Sequence, residues 1–301
     1  MNASFGIDHP LIAVHDINLM RERMLALGFN MTAIGQHPWG TSTSLAMFDQ
    51  CLIEIMSIYD TALLDEVPAG DFRFGRHVYK HLMQREGIAL TALHSTDSQA
   101  DARLALEAGF DVAGHLEFGR DVVLPDARRG RTKTTLALIP DTRWPRLSFF
   151  LCQQHRPELV YVTEWLEHPN SVHGIHGITI LSSPNGQSEL VKKLGGLYGK
   201  AVTVNGGYRL ETANGYLQIL SEEASCRQLG KLPNAVTSDT LPGIVGMDLL
   251  YADRECLHQH LIDSELKFDE NNGVFRLLDA SVTGNVVFRF FPDAIAATSP
   301  G

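Results

Sequence analysis

One acidic residue interrupts a strongly apolar segment near residue 54. Glu54 lies in the middle of CLIEIMSI, residues 51–58, whose aliphatic and β-branched composition predicts a buried strand. An ionised carboxylate is seldom buried without a partner, because its transfer out of water is costly. We therefore expect Glu54 to face a cavity, a cation or water, and treat it as the first candidate for a catalytic or metal-binding group.

Histidines are the second source of candidate chemistry. His37 precedes a Pro-Trp-Gly turn, which is typical either of an exposed loop residue or of a catalytic residue at the rim of a cavity. His77 and His81 have the i, i+4 spacing of two ligands on one helix face, but the HExxH glutamate is missing. Packing or surface roles are favoured for this pair and for the other clusters, which are His168, His173, His176, His258 and His260.

Composition excludes several functional classes. The 35 acidic and 25 basic residues give a net charge of −10, which disfavours nucleic acid as a partner. The first residues lack the basic and apolar regions of a signal peptide, and no apolar run is long enough for a membrane span, so we expect neither feature. Four cysteines without a Cys-x-x-Cys pair predict reduced thiols in a cytoplasmic protein. Nucleotide-binding glycine loops and the GxSxG motif of serine hydrolases are also missing.

A repeated pattern organises the chain. Residues 6–29 and 87–110 match at a constant offset of 81, and each reads as an apolar strand, a capping Asp and an amphipathic helix that ends at a Gly-Phe pair. Residues 174–196 and 243–253 are weaker copies. We expect the first three helices to end at Gly28, Gly109 and Gly195, whereas the fourth has Glu265 at this place and should continue toward Lys267.

Three strand-like segments follow each helix, so the predicted unit is β-α-β-β-β. A sheet with one covered face must pair with another unit to bury its remaining apolar surface. Four units therefore predict an α+β protein made of two half-barrel modules. We place the first module at residues 1–156, a connector at 157–172 and the second module at 173–301.

A fourfold β-α-β-β-β array, with a histidine in a first strand and a glutamate in a last strand, resembles the vicinal oxygen chelate superfamily. This superfamily includes glyoxalase I, extradiol dioxygenases and bleomycin-resistance proteins. More narrowly, the chain resembles the glyoxalase-like domain family. The resemblance extends over about residues 5–180 and is carried by GIDHPLIAVHDI (6–17), HPWGTSTSLAMF (37–48) and CLIEIMSI (51–58).

The resemblance implies a divalent metal in the cavity of a half-barrel, with zinc, iron(II), manganese and nickel as candidates. His9 and Glu54 fall on the two ligand positions of the first unit. An imidazole and a carboxylate bind such ions and leave positions at which a substrate can chelate. We expect Glu54 and His37 to take part in catalysis, and Trp39 and Phe150 to line the substrate cavity.

The second unit departs from this pattern. Leu90 stands at the position that corresponds to His9 and cannot bind a metal. The position that corresponds to Glu54 is expected near the end of SFFLCQQ. This segment offers a thiol suited to zinc and two amides that are poor ligands, namely Cys152, Gln153 and Gln154.

The second module departs further. Gln218 matches Glu54 in the third unit, whereas the fourth unit has Gly246 and Arg289 at the two ligand positions. A guanidinium group at a ligand position repels a divalent cation. We expect this module to be structural or to cover the first one.

Two functions remain open at this point. The first is a metal-dependent enzyme of the lyase, isomerase or dioxygenase type, which acts on a small oxygenated molecule in the cavity of the first two units. The second is a metal-free protein of the same fold that binds or sequesters a small molecule, as resistance proteins do; Leu90, Gln218 and Arg289 favour it. The expected partner is a small-molecule ligand in both cases, and a homodimer remains an open alternative to a monomer.

Overall fold

The structure, a computed structural model, describes residues 5–237 and 240–293. The first half of the chain contains twelve strands and three α-helices in the described residues. They are β1 (Ile7–Ala13), α1 (Ile17–Ala26), β2 (Gly35–Gln36), β3 (Thr41–Phe48), β4 (Cys51–Ile58), β5 (Pro68–Ala69), β6 (Phe72–Arg73), α2 (Phe74–Leu82), β7 (Gly87–Ser95), α3 (Ser98–Glu107), β8 (Gly114–Phe118), β9 (Asp121–Val123), β10 (Arg129–Arg131), β11 (Thr134–Ile139) and β12 (Phe149–Gln154).

The second half repeats this order. After α4 (Thr163–Leu166), a short helix in the connector, its elements are β13 (Val172–Leu181), α5 (Pro184–Tyr198), β14 (Val202–Val204), β15 (Gly207–Glu211), β16 (Tyr216–Leu220), α6 (Glu222–Leu229), β17 (Gly243–Tyr251), α7 (Arg254–Asp263), β18 (Phe268–Asn271), β19 (Val274–Leu277) and β20 (Val287–Pro292). In the described part of the chain, no helix has both the length and the apolar character needed to cross a membrane.

Two eight-stranded sheets have the same strand order. The first runs β2-β3-β4-β1-β7-β12-β11-β8, and the second runs β14-β15-β16-β13-β17-β20-β19-β18. The first and last strands of a unit pair in parallel, while two units join through their antiparallel first strands. The predicted α+β fold of four β-α-β-β-β units in two modules is confirmed.

Besides the two-stranded β5–β6 sheet, two kinds of segment are added to the repeating units. A helix connects the units within each module, namely α2 in the first and α6 in the second. Unit two also contains the β9–β10 ribbon, a two-stranded sheet between β8 and β11 that does not belong to either large sheet. This ribbon was not predicted from the sequence.

The unit helices and one face of each sheet share a single apolar core. This core contains buried side chains from both sheets and from all four unit helices, among them Met20, Met24, Ala105, Leu190, Leu194, Leu257 and Leu261. Each fully buried aliphatic side chain of this size contributes roughly 1.5–3 kcal/mol, so the shared core holds the two modules together. The opposite face of each sheet is left free for other contacts.

The helix ends correct two sequence predictions. The left-handed φ angles of Gly28 and Gly109 confirm that α1 and α3 end there, at +81° and +87°. Helix α5, however, passes through Gly195 and ends at Gly199, since an interior glycine costs only about 1 kcal/mol. Helix α7 ends at Asp263 and does not continue toward Lys267.

Glu265 takes the place of the terminal glycine behind α7. Its φ is +56°, and its N–H donates to the Ile262 carbonyl at 3.0 Å, as the N–H of Gly28 donates to the Leu25 carbonyl at 2.9 Å. A left-handed conformation costs a residue with a Cβ about 1–2 kcal/mol. The unit therefore keeps its turn geometry against the preference of the residue, because the chain must return to pair as β18.

We predict that Glu265→Gly raises the free energy of unfolding by about 0.5–1 kcal/mol, because relief of the left-handed strain exceeds the added flexibility of the unfolded chain. Gly109→Ala is the matched opposite change. A Cβ at Gly109 would meet no atom within 4 Å, so only backbone strain should act, and this variant should lose about 1 kcal/mol. Urea unfolding measures both, and a Glu265→Gly variant less stable than wild type would contradict the prediction.

Candidate active site

A cavity of about 690 Å³ lies on the face of the first sheet opposite the unit helices α1 and α3. Inward side chains of β1, β3, β4, β11 and β12 form its floor. Phe74 of α2, the β9–β10 ribbon and the connector form its walls, and the connector contributes Leu159, Val160 and Trp165. Most lining side chains are apolar, so the few polar groups determine what the cavity can do chemically.

A chain of hydrogen bonds joins the polar groups on the floor. Nδ1 of His9 lies 2.6 Å from Oδ1 of Asp8, and its Nε2 lies 3.2 Å from Oε2 of Glu54. The Thr43 hydroxyl donates to Oε1 of Glu54 at 2.5 Å. All four residues are buried, and His9 and Glu54 both line the cavity.

An irregularity in β1 makes the contact between Asp8 and His9 possible. Ile7 pairs with Leu93 while His9 pairs with Ala92, so one extra residue is inserted into β1 as a β-bulge. Neighbouring side chains of a regular strand point to opposite faces. The bulge lets Asp8 reach the imidazole of the next residue, and its carboxylate also lies 3.2 Å from Nδ1 of His94.

The charges of the hydrogen-bonded groups Asp8, His9 and Glu54 stabilise one another. Burial lowers the pKa of His9, but the hydrogen bonds and charges of Asp8 and Glu54 outweigh this effect and raise it to about 9. Burial raises the pKa of Glu54, but the His9 imidazole and the Thr43 hydroxyl outweigh it and lower the value to about 2. In the absence of any ligand, the array is an imidazolium between two carboxylates.

His37 and Trp39 form one wall of the cavity. The two rings are stacked with their centroids 4.7 Å apart, and Nδ1 of His37 lies 2.9 Å from the Thr41 hydroxyl. Nε2 of His37 is hydrogen-bonded to the guanidinium group of Arg120. Burial, with a further contribution from this guanidinium, lowers the pKa of His37 to about 3, so His37 is neutral and its Nε2 accepts.

Phe150 occupies the position that corresponds to Glu54. In the parallel pairs, Leu11 is opposite Glu54, and Ala92, which lies 81 residues after Leu11, is opposite Phe150. The equivalent residue therefore is Phe150, and not one of residues 152–154 as the sequence analysis expected. Phe150 lines the cavity and packs against the His9 ring with centroids 5.4 Å apart.

The three other candidates of this strand separate into two groups. Cys152 and Gln154 line the cavity, whereas Gln153 bonds to Ser98 at the start of α3 and does not line it. Burial raises the pKa of the Cys152 thiol. Cys152 also forms a cluster with Asp8 and His9, in which one ligand atom of each residue lies within 4.8 Å of the others.

The second sheet fills the equivalent positions differently. Arg289 donates two hydrogen bonds to Asp248, at 2.6 and 2.7 Å, in a buried ion pair. Gln218 donates to the Thr179 hydroxyl at 2.7 Å. Leu229 of α6 lies over Gly246, where a Cβ would come within 3.0 Å of it. These contacts leave this sheet with a packed polar cluster in place of the His9–Glu54 pair.

His168 lies in the connector and attaches it to the first sheet. Its Nδ1 accepts from the backbone N–H of Asn30 at 2.9 Å, and its Nε2 lies 2.9 Å from the Met47 carbonyl. On α2, Nε2 of His77 lies 3.1 Å from the Ala89 carbonyl. Both ring nitrogens of His168 are used by the backbone, which supports a structural role for this histidine.

Asp8, Thr43 and Arg120 were not predicted from the sequence as site residues. Asp8 carried a signal of the same kind as Glu54, since it is an acidic residue within the apolar run of β1. Thr43 and Arg120 carried none, because a threonine in a strand and an arginine between two strands are common. Their proximity depends on the β3–β4 register and on the β9–β10 ribbon.

Comparison with known proteins identifies the relatives of this fold. The family model for the glyoxalase-like domain matches residues 7–195. A search of curated proteins finds no match to the chain. Among solved structures, a hypothetical protein from Staphylococcus aureus is similar over 95% of this chain and 98% of its own, with 13% identity and a TM-score of 0.67.

Two further solved structures are similar in fold. A mutant of 4-hydroxymandelate synthase from Streptomyces coelicolor matches over 97% of this chain and 93% of its own, with 11% identity and a TM-score of 0.61. A fusion of a xylose isomerase-like TIM barrel with 4-hydroxyphenylpyruvate dioxygenase matches over 97% of this chain and 49% of its own, with 12% identity and a TM-score of 0.56. At these identities the likeness concerns the fold alone.

We predict that charged His9 makes the stability of chelator-treated protein depend on pH. Because the pKa of His9 is raised from 6.5 to about 9, its contribution is fully present below pH 6.5 and is lost as the pH rises to about 9. The loss is at most about 3 kcal/mol, at about 1.4 kcal/mol per pKa unit. Glu54→Gln removes one of the two carboxylates, so its melting temperature should fall less steeply over this range.

The matched control is Glu117→Gln, an exposed strand residue outside the cavity, which should keep the wild-type slope. Melting curves at half-unit steps between pH 6 and pH 9.5 provide the measurement. Equal slopes in Glu54→Gln and wild type would contradict the assigned role of the His9–Glu54 contact.

Proposed function

The chain belongs to the glyoxalase-like domain family, and from this premise we propose that it is an enzyme acting on a small oxygenated molecule in the cavity of the first sheet. In this proposal, His9 and Glu54 hold a divalent cation. The observation that carries it is the hydrogen-bonded chain from Asp8 to Thr43, which directs Nε2 of His9 and Oε2 of Glu54 toward one another at the cavity floor.

The donor atoms fit a divalent cation. Metal–ligand distances to histidine and carboxylate are about 2.0–2.2 Å, so two donors that share one ion lie at most about 4 Å apart. The separation of 3.2 Å between His9 and Glu54 satisfies this limit. An imidazole and a carboxylate suit zinc, manganese, iron(II) and nickel. Cys152 of β12, a ligand type suited to zinc, lies near Asp8 and His9.

The surrounding groups also match those of known metal sites. A metal-bound histidine usually donates its other N–H to a carboxylate, which fixes the tautomer and the ring orientation. Asp8 takes this role for His9 at 2.6 Å, and the Thr43 hydroxyl holds the second oxygen of Glu54. The ligand pair is thus oriented by hydrogen bonds that the first sheet already contains.

The residues that line the cavity have different roles in the proposed reaction. A bound cation would act as a Lewis acid toward a carbonyl or an adjacent pair of oxygens. Phe150, Trp39 and the other apolar walls exclude water and strengthen the electrostatic interactions of the substrate. His37 is a positioning residue here, because its Nε2 lone pair is engaged by Arg120 and its low pKa makes it a weak base.

A second function is supported by a separate observation. Leu90 and Phe150 occupy both ligand positions of unit two, so the chain supplies only two of the four ligands that a pair of units can provide. A metal-free protein that binds or sequesters a small molecule would have the same cavity. In that case the His9–Glu54 contact is a buried ion pair, and the cavity needs no cation.

We predict that a divalent cation stabilises the wild-type protein and that Glu54→Gln abolishes this effect. A ligand that binds the folded state at one hundred times its Kd stabilises it by about 2.7 kcal/mol, whereas an amide is a much poorer ligand for a divalent ion than a carboxylate is. Melting curves with excess zinc, manganese or iron(II), and with chelator, measure the difference.

Glu117→Gln is again the matched control and should respond to the cations as wild type does. Elemental analysis of protein purified without chelator or a metal-affinity column provides an independent readout. A wild type whose melting temperature ignores both cations and chelator, and which carries no stoichiometric metal, would exclude the metal enzyme and support the binding protein.

A further inference from the structure

We propose that Arg120 is a carboxylate-binding residue and that the cavity takes a small organic acid with an apolar body. The inference names the class of molecule for the cavity of the proposed function. It rests on the proposed function only in assuming that this cavity is the binding site, because carboxylate binding at Arg120 requires neither a cation nor turnover.

The guanidinium group of Arg120 is a half-buried cation that forms no ion pair with a carboxylate of the described residues. It lines the cavity, and the charge of Glu54 raises its pKa from beyond ion-pair distance. Its Nε is buried and has no hydrogen-bond partner. Arginine stays charged at neutral pH even though burial lowers its pKa. A buried charge without a partner is costly, so a binding site for an anion is the simplest account of this arrangement.

Three contacts hold this side chain in place. Nε2 of His37 accepts from one terminal nitrogen of the Arg120 guanidinium. Gly35 leaves room for the other, since a Cβ there would lie only 2.9 Å from it. The Phe118 ring lies beside the group at 5.8 Å. Arg120 is therefore held before any ligand arrives, with donors left for the planar, two-point recognition of a carboxylate.

The remainder of the cavity defines the body of the molecule. Its walls between Arg120 and the His9–Glu54 pair are mainly apolar, and they include Phe118, Val122 and Phe150. A molecule with its carboxylate at Arg120 would place an apolar or aromatic portion along these walls and a further oxygen near His9 and Glu54. The charge of Glu54 and the presence of one guanidinium group favour a monoanion over a phosphate dianion.

Isothermal titration calorimetry of chelator-treated protein tests this proposal. The probes are phenylacetate, 3-phenylpropionate and 4-phenylbutyrate, each compared with its own neutral amide, and inorganic phosphate tests for binding of any anion. We expect at least one acid to bind about tenfold or more tightly than its amide, as a charged hydrogen-bonded pair provides. This preference should disappear in Arg120→Gln.

Gly35→Ala is a second variant that keeps the charge and displaces the guanidinium group, so it should also reduce the preference for the acid. Arg129→Gln, at an exposed arginine of the same ribbon, is the matched control and should bind as wild type does. The proposal is overturned if no acid binds more tightly than its amide, if phosphate binds as tightly as the best acid, or if the preference persists in both Arg120→Gln and Gly35→Ala.

These outcomes are separate from those of the metal experiment. A protein that ignores cations but selects acids through Arg120 would retain the carboxylate site and lose the metal enzyme. A protein that binds a cation through Glu54 but shows no preference for acids would retain the enzyme and lose the carboxylate site.

Discussion

The burial of Asp8, His9 and Glu54 in one hydrogen-bonded chain determines how the open face of the first sheet is built. Each of these groups would be costly to bury alone, and together they hold an imidazolium between two carboxylates. This hydrogen-bonded chain of side chains depends on two features of β1. The parallel β1–β4 pair brings Glu54 beside His9, and the bulge turns Asp8 toward the imidazole. Changes in either register would leave buried charges unpaired.

The two sheets show how one topology can retain or close such a face. In the second sheet, Leu229 of α6 packs over Gly246, and the Arg289–Asp248 ion pair satisfies the polar groups at the floor. In the first sheet, α2 occupies the corresponding place between units but leaves a cavity beside Phe74. The difference arises from side-chain size and charge at a few inward positions, since the strand order is the same.

Much of the fold follows from the sequence, because the strand–helix pattern repeats four times and Gly28 and Gly109 mark two helix ends. Glu54 was identified from local composition, and His9 from a family resemblance. Phe150 was predicted as a cavity residue, but neither Arg120 nor the equivalence of Phe150 with Glu54 could be identified in this way. They depend on pairing registers and on a ribbon between strands. Such long-range contacts leave no periodic pattern of residues from which they could be predicted. Glu265 shows the same limit, since tertiary pairing there overrides the preference of the residue.

The β9–β10 ribbon has a consequence for how this fold diversifies. Arg120 lies where the ribbon begins, whereas His9 and Glu54 lie on central strands of the sheet. Connections between strands tolerate changes in length and composition much better than central strands do. The residues proposed to select a molecule can therefore vary in evolution without disturbing those proposed to hold a cation. If the proposed site is correct, engineering of the ribbon alone would change the ligand preference and leave His9 and Glu54 unchanged.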